Sequence, residues 1–388
     1  MQTPVRFSRW RSPDGTEAST NVLRAVRTIE SEATADWKFA MPAAEDRAAE
    51  DRAAEDRAAE DRTMKAVVQS RYGGADVLEL VEVDRPEVDD GEVLVRVHAA
   101  SIGAWVDHLV AGDPFVMRLL LGLRRPRQRI RASDVAGRVV AVGTGVDGVR
   151  PGEDVYGECD AAFAEYAVMS VDALAPKPPS LSFEEAAAVP IAGQTALLAL
   201  RDHGHLRAGQ RVLIVGAAGG VGSCAVQIAA AMGAVVTGVC SSRNVEFVRS
   251  LGVDHVIDHT VGDALGDPGQ YDLIVQLAGR QSATELRPLL EKRGTLVLSS
   301  GEGGRWFGPL GRLAAAIAVS PFVTQRFRTF VATSTPANLA RLTDLIESEQ
   351  VAPAVDRVFP LSQMTAALRH FQQPHGRGKT IITMEHPD

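Results

Sequence analysis

Four glycines within seven residues, Gly216, Gly219, Gly220 and Gly222, follow the apolar run Val212–Val215. They precede Ser223–Met232, an Ala-rich segment without Gly or Pro. The run reads as a buried parallel strand and the segment after the turn as a helix. A pyrophosphate fits such a turn, because glycine lets the backbone come close and the first helical turn offers unpaired N–H groups. The spacing is GxxGxxG rather than GxGxxG, so on this motif alone a Gly-rich turn of some other α/β protein stays open. A second apolar strand, Ala234–Cys240, runs into Ser241, Ser242 and Arg243. A carboxylate at this strand end would hold a ribose 2′-hydroxyl. Two hydroxyls and a guanidinium instead suit a 2′-phosphate, each charge-assisted hydrogen bond contributing roughly 1.5–3 kcal/mol. The expected cofactor is therefore NADPH; the alternative is that Arg243 is a solvated residue opening a helix.

The elements that must carry these groups alternate. Val245–Leu251 reads as a helix, His255–Ile257 as a short strand, Tyr271–Leu277 and Gly294–Ser299 as buried strands with a helix at Ala283–Leu290 between them. Strand–helix alternation implies a parallel sheet with right-handed crossovers. Earlier in the chain the pattern is β: Lys65–Gln69, Val77–Val83, Glu92–Ala99, Val135–Val142 and Phe163–Met169, with Gly- and Asp-rich turns. Ser182 and Glu185 have capping-box spacing for a helix, and Gln194–Asp202 reads as another. Leu339–Glu347 and Thr365–Phe371 read as amphipathic helices and Lys379–Met384 as a last strand.

Composition sets the outer limits. With 388 residues, 45% of them hydrophobic, the chain is long enough for two domains, and its net charge of −8 argues against nucleic acid as a bulk partner. Cys159, Cys224 and Cys240 lie far apart without metal or disulfide spacing, which suits a cytoplasmic protein. No apolar run reaches the ~18 residues of a membrane span. Residues 1–63 differ from the rest: Ala43–Arg62 is AAEDR four times over, a period that gives no consistent apolar face. The segment reads as a disordered tail, a solvated charged helix or a regulatory arm.

Several motifs together resemble the medium-chain dehydrogenase/reductase superfamily, in its zinc-free quinone oxidoreductase branch. They are MKAVVQSRYGGADVLEL at 64–80, DVAGRVVAVGTGV at 134–146, FEEAAAVPIAGQTALLAL at 183–200, GAAGGVG at 216–222, LGVDHVID at 251–258 and RGKTIIT at 377–383. The resemblance implies an α/β fold in which a doubly wound Rossmann sheet is inserted in a GroES-like, partly open β-barrel. Residues 64–186 and 331–388 would form the barrel domain and residues 187–330 the NADP-binding domain. Homodimers are common in the family. The resemblance also implies a cofactor site that takes in Ala218 and Val221 within the glycine turn, Leu277, Ala278 and Ser299 after the later strands, and Thr195. At the positions of the family's catalytic zinc ligands this chain has Gly103, Ser133 and Ile191, a poor donor set, so no metal is expected.

Without a Lewis acid the fitting substrates are small, hydrophobic and already electrophilic: quinones and α,β-unsaturated carbonyls. Candidates for proton transfer or charge stabilisation are His108, which matches a proton-relay histidine of the zinc enzymes, its neighbour Asp107, and Ser133. Tyr72, Trp105 and Asp134 are candidates to line the substrate pocket. Phe115–Leu123 and Trp306–Val323 are apolar and would either line a greasy pocket or cover it. The Arg-rich run Arg124–Arg131 is either a solvated loop or an anion site. Two other functions stay open: an NADPH-binding sensor or structural protein with little catalysis, and a metal-dependent alcohol dehydrogenase.

Overall fold

The computed structural model describes residues 62–262, 269–279, 281–299, 323–332, 334–373 and 376–386. The expectations for the AAEDR tail and for Trp306–Phe322 lie outside these residues.

The first half is β. Strands β1 (Thr63–Gln69) and β2 (Leu78–Asp84) pair antiparallel. They are followed by β3 (Glu92–Ile102), β4 (Ser133–Val142), β5 (Asp154–Cys159), β6 (Tyr166–Ser170) and β7 (Leu174–Pro176). Val93, Val95, Val97, Val135, Val139 and Met169 point into one core with Phe163. The middle of the chain supplies β8 (Arg211–Val215), β9 (Val235–Cys240), β10 (His255–Asp258), β11 (Tyr271–Gln276), β12 (Leu290–Leu298) and β13 (Arg326–Thr329). These form a six-stranded parallel sheet in the order β10-β9-β8-β11-β12-β13. The chain then returns to the first sheet through β14 (Val355–Pro360) and β15 (Lys379–Thr383), giving the order β14-β15-β3-β4-β5-β7 with β6 on β3. β15 lies antiparallel to β3, Thr380 opposite Ile102. A barrel-type sheet closed by both ends of the polypeptide, with a Rossmann sheet inserted, is the expected architecture.

The sequence pattern does not announce four strands: β5, β7, β13 and β14. They are short, and β5 (DVYGEC) interrupts its apolar alternation with Gly157 and Glu158. The expected helix over Ala283–Leu290 ends early, at Leu286. Pro288, which has no N–H to continue a helix, sits in a single 3₁₀ turn, and β12 begins at Leu290. The Ser182–Glu185 capping box forms as its spacing predicts.

The helices Pro190–Leu197, Gly220–Ala231 and Pro336–Glu347 bury Ala192, Ala196, Ala225, Ala229, Leu339 and Leu342 in a second core against β8 and β11. Tyr156 of β5, fully buried, donates its hydroxyl to the Leu339 carbonyl at 2.8 Å. That bond fixes the barrel strand β5 against the helix Pro336–Glu347. A cleft of about 1210 Å³ opens at the end of β8, bounded by barrel residues on one side and by the glycine turn on the other.

Candidate functional site

The turn after β8 owes its shape to two glycines. Gly216 has φ +91°, and a Cβ on Gly222 would stand 2.0 Å from the Gly216 carbonyl oxygen, so neither position admits a side chain. Gly219 is the N-cap of the helix Gly220–Ala231, and no side chain caps that end. The first-turn N–H groups therefore lack intrahelical partners. Gly219, Gly220 and Val221 line the cleft at this end, and a Cβ on Gly219 would meet nothing closer than 3.6 Å. This cradle fits a pyrophosphate. Gly216, Ala218, Gly222, Thr195, Leu277, Ala278 and Ser299 line the same cleft.

At the end of β9, Ser241 lines the cleft, whereas Ser242 and Arg243 stand exposed beside it. The Ser242 hydroxyl is engaged: it donates to Asp258 Oδ2 at 2.5 Å and lies 2.5 Å from Thr260 Oγ1. Parallel register brings this about, since β10 places Asp258 beside Cys240. The hydrogen bonds from Ser242 and then Thr260 hold the Asp258 carboxyl below its usual range. The strand end thus has a carboxylate neighbour that its own sequence does not contain. Asn244, His259 and Arg377 also line this part of the cleft, and no sequence pattern singles them out for it.

The other end of the cleft is built on β4, β5 and β15. Ser133 lines it, its hydroxyl donating to the Ser101 carbonyl at 2.5 Å. Asp134 does not line it: fully buried, it accepts from Ser101 Oγ at 2.9 Å, from the Ile191 amide at 2.8 Å and from Lys379 Nζ at 3.1 Å. Lys379 spans the cleft floor. Its stem lies on Gly220, where a Cβ would stand 2.7 Å from Lys379 Cδ. Its ammonium comes within 3.2 Å of where a Cβ on Gly103 would be. The preceding residue ties down the glycine turn, Gly378 N donating to Ala218 O at 2.8 Å.

Glu158 lies opposite Asp134 in the β4–β5 register and lines the cleft. Burial, reinforced by the Asp134 charge, pushes its carboxyl up to about 8, with Lys379 and Ser334 partly offsetting the rise. Gln194 braces this corner, donating to Ser334 Oγ at 2.7 Å and accepting from Thr335 N at 2.9 Å. At this end of the cleft, Glu158 and Lys379 are the site groups that sequence reading misses. The RGK motif was visible without a role, and Glu158 sits on a strand the pattern did not announce.

The remaining candidates separate. His108 and Trp105, on the helix Ala104–Ala111, line the cleft. Asp107 points elsewhere and accepts from Gln372 Nε2 at 2.7 Å. Tyr72 is not a pocket wall: its hydroxyl donates to Gly122 O at 2.8 Å and its ring lies under the Arg118 guanidinium. Phe115–Leu123 divides, with Met117 lining the cleft while Leu119, Leu120 and Leu123 face outward. Burial pushes the Cys159 thiol up to about 12 and Cys224 and Cys240 to about 11, so none is a ready nucleophile.

Gly103, Ser133 and Ile191 are a poor donor set for zinc. Glycine and isoleucine offer no side-chain donor, and a serine hydroxyl, which here donates to the Ser101 carbonyl, is a poor ligand for zinc. Among the described residues no three His, Cys, Asp or Glu side chains gather as metal ligands, and no helix is long and apolar enough to cross a membrane.

The chain is similar to known proteins along most of its described length. Residues 89–179 match the alcohol dehydrogenase GroES-like domain, and residues 251–382 match a family described as zinc-binding dehydrogenase. The chain is 32% identical over 333 residues to a chloroplastic quinone oxidoreductase of Triphysaria versicolor, covering 82% of this chain and 98% of that one. It is 31% identical over 338 residues to a chloroplastic NADPH-dependent alkenal/one oxidoreductase of Arabidopsis thaliana, covering 82% and 79%. Among solved structures, the quinone oxidoreductase from Coxiella burnetii superimposes with a TM-score of 0.74 at 28% identity, over 83% of this chain and all of that one. The protein belongs to the medium-chain dehydrogenase/reductase superfamily, in its quinone-oxidoreductase-like branch, and is an oxidoreductase built to use a nicotinamide cofactor.

Proposed function

We propose that the protein is a zinc-independent, NADPH-dependent reductase of quinones or α,β-unsaturated carbonyls. One observation carries this reading. The corner where related dehydrogenases place a metal holds instead an ammonium–carboxylate pair, Lys379 and Asp134, beside Gly103, Ser133 and Ile191. The glycine turn opens on the same cleft.

The glycine turn and the start of the helix Gly220–Ala231 would hold the pyrophosphate. Ser241, Arg243 and Arg377 would meet the 2′-phosphate, with Asp258 opposing them in part. When bound, the nicotinamide supplies the hydride. Trp105, Met117, Ile191 and Phe330 give the acceptor an apolar wall and exclude water. Lys379 Nζ offers positive charge to the substrate oxygen that becomes negative. Glu158, protonated at neutral pH, holds on its carboxyl the proton that a reduced enone needs at carbon. His108 stands at the cleft mouth as a cofactor-ribose contact. The protein works as a homodimer in the cytoplasm, a reading supported by β13 ending the parallel sheet among the described residues and by three buried, unpaired cysteines.

The test is direct. Purified protein mixed with NADPH and a panel of quinones and enones bleaches the absorbance at 340 nm, and a chelator leaves the rate unchanged. Tight NADPH binding with no turnover across the panel would reduce the protein to a nucleotide-binding one; loss of turnover with chelator would restore the metal.

A further inference from the structure

The arm between the helix Ala104–Ala111 and β4 has two faces. Asp113, Pro114 and Met117 look into the cleft. On the other face Leu119, Leu120 and Leu123 are 63%, 71% and 67% exposed. The other exposed large apolar residues of the described chain stand singly, whereas these three fall within five positions.

The arm is held in this pose. Gly122, at φ +115°, turns so tightly that a Cβ there would stand 2.1 Å from Arg125 O. Tyr72 bonds its carbonyl. Arg118 donates to Gly112 O and Ala111 O while lying over the Tyr72 and Phe115 rings. Arg127 N donates to Leu121 O at 2.9 Å. The leucines are thus displayed by a braced turn.

Charge is segregated on the same arm. From Pro114 to Ser133 there are six arginines and no Asp or Glu, in a chain of net charge −8. Arg118 and Arg131 serve the arm itself. Arg124, Arg125, Arg127 and Arg129 are exposed, and among the described residues none is ion-paired. A nucleic acid would use the arginines but leave three leucines in water. An apolar protein groove would use the leucines but has no use for four unpaired guanidiniums. A bilayer carrying anionic headgroups uses both, with leucines entering the acyl boundary and arginines at phosphate level.

We propose that the Leu119–Leu123 knuckle and the four arginines after it dock the protein reversibly on an anionic lipid surface. The docking stands on the arm alone. Its use, delivery of a lipid-dissolved acceptor past Met117, rests on the acceptor class proposed above.

The full chain is floated with vesicles of phosphatidylcholine, with or without phosphatidylglycerol. Expected is capture by the anionic vesicles only, released by high salt, and weakened at least tenfold both in Leu119→Ser/Leu120→Ser/Leu123→Ser and in Arg124→Gln/Arg125→Gln/Arg127→Gln/Arg129→Gln. Unchanged NADPH affinity shows that the variants are folded. No capture, equal capture by both vesicle types, or capture unaffected in both folded variants would overturn the proposal. So would sedimentation showing that the leucine variant dissociates a dimer, since the knuckle would then face a second copy. Turnover of a water-soluble quinone should be equal in wild type and variants, while a long-chain quinone embedded in anionic vesicles is reduced at least tenfold more slowly by the variants. Absence of all turnover with vesicle capture intact would strike the acceptor assignment and leave the docking standing.

Discussion

The two ends of the cleft are built on different principles. At the nucleotide end the backbone makes the site: Gly216 and Gly222 shape a turn that excludes side chains, and an uncapped helix end supplies the donors. At the end built on β4, β5 and β15 side chains make it. Asp134, Glu158 and Lys379 come from three strands, and Lys379 is 245 residues from the carboxylate it pairs with. A backbone site depends on a short stretch of sequence and is tolerant of its surroundings. A buried ionic corner depends on every partner, because a charge left alone there has no water to turn to.

The contrast can be broken hardest at Lys379. Lys379→Met leaves the Asp134 carboxylate buried without its ion-pair partner and should cost on the order of 3 kcal/mol of stability. The double variant Asp134→Asn/Lys379→Met should recover most of that loss, as measured by urea unfolding. If the single variant were as stable as the wild type, the corner would not be the dry ionic site described here.

Glu158 sharpens the comparison through pH. The unfolded chain gives up this proton near 4.5 and the folded chain near 8, so between those values the folded state holds more protons. Stability therefore declines as pH rises from about 4.5 to about 8, and Glu158→Gln flattens that decline. Enone turnover should fall as pH passes about 8. The variant should lose about a hundredfold in turnover with NADPH affinity unchanged. A wild-type profile flat across this range would remove Glu158 from proton transfer.

The smallest effect belongs to the nucleotide end. Asp258→Asn should raise the affinity for NADPH about fivefold while leaving NADH nearly unaffected, an effect that fades with salt. Equal gains for both cofactors in a calorimetric titration would show that Asp258 does not face the 2′ position.

Legibility in the sequence follows the same divide. The glycine turn, the apolar strands β8, β9 and β11 and the Ser182 cap were readable because each is written in consecutive residues. The two-sheet architecture, with the closing strand returning to the first sheet, was readable from several motifs in order. Glu158 was not, because Gly157 and the acidic residues of β5 hide the strand that carries it. The sequence leaves Ser242 available, yet parallel register hands it Asp258, which is 16 residues away. Residue type makes Tyr72 a candidate wall, and family position makes Asp134 a candidate substrate contact; the hydroxyl and the carboxylate turn instead to brace the protein.

The position of β15 also bears on how the molecule is made. Residues 380–383 fill the place beside residues 99–102, so on the ribosome that edge of β3 stays open while nearly three hundred further residues are synthesised. Until then the floor of the cleft has no ammonium and the glycine turn no tether at Gly378. A nascent chain stalled before Gly378 would therefore display an open strand edge on β3 and an untethered glycine turn.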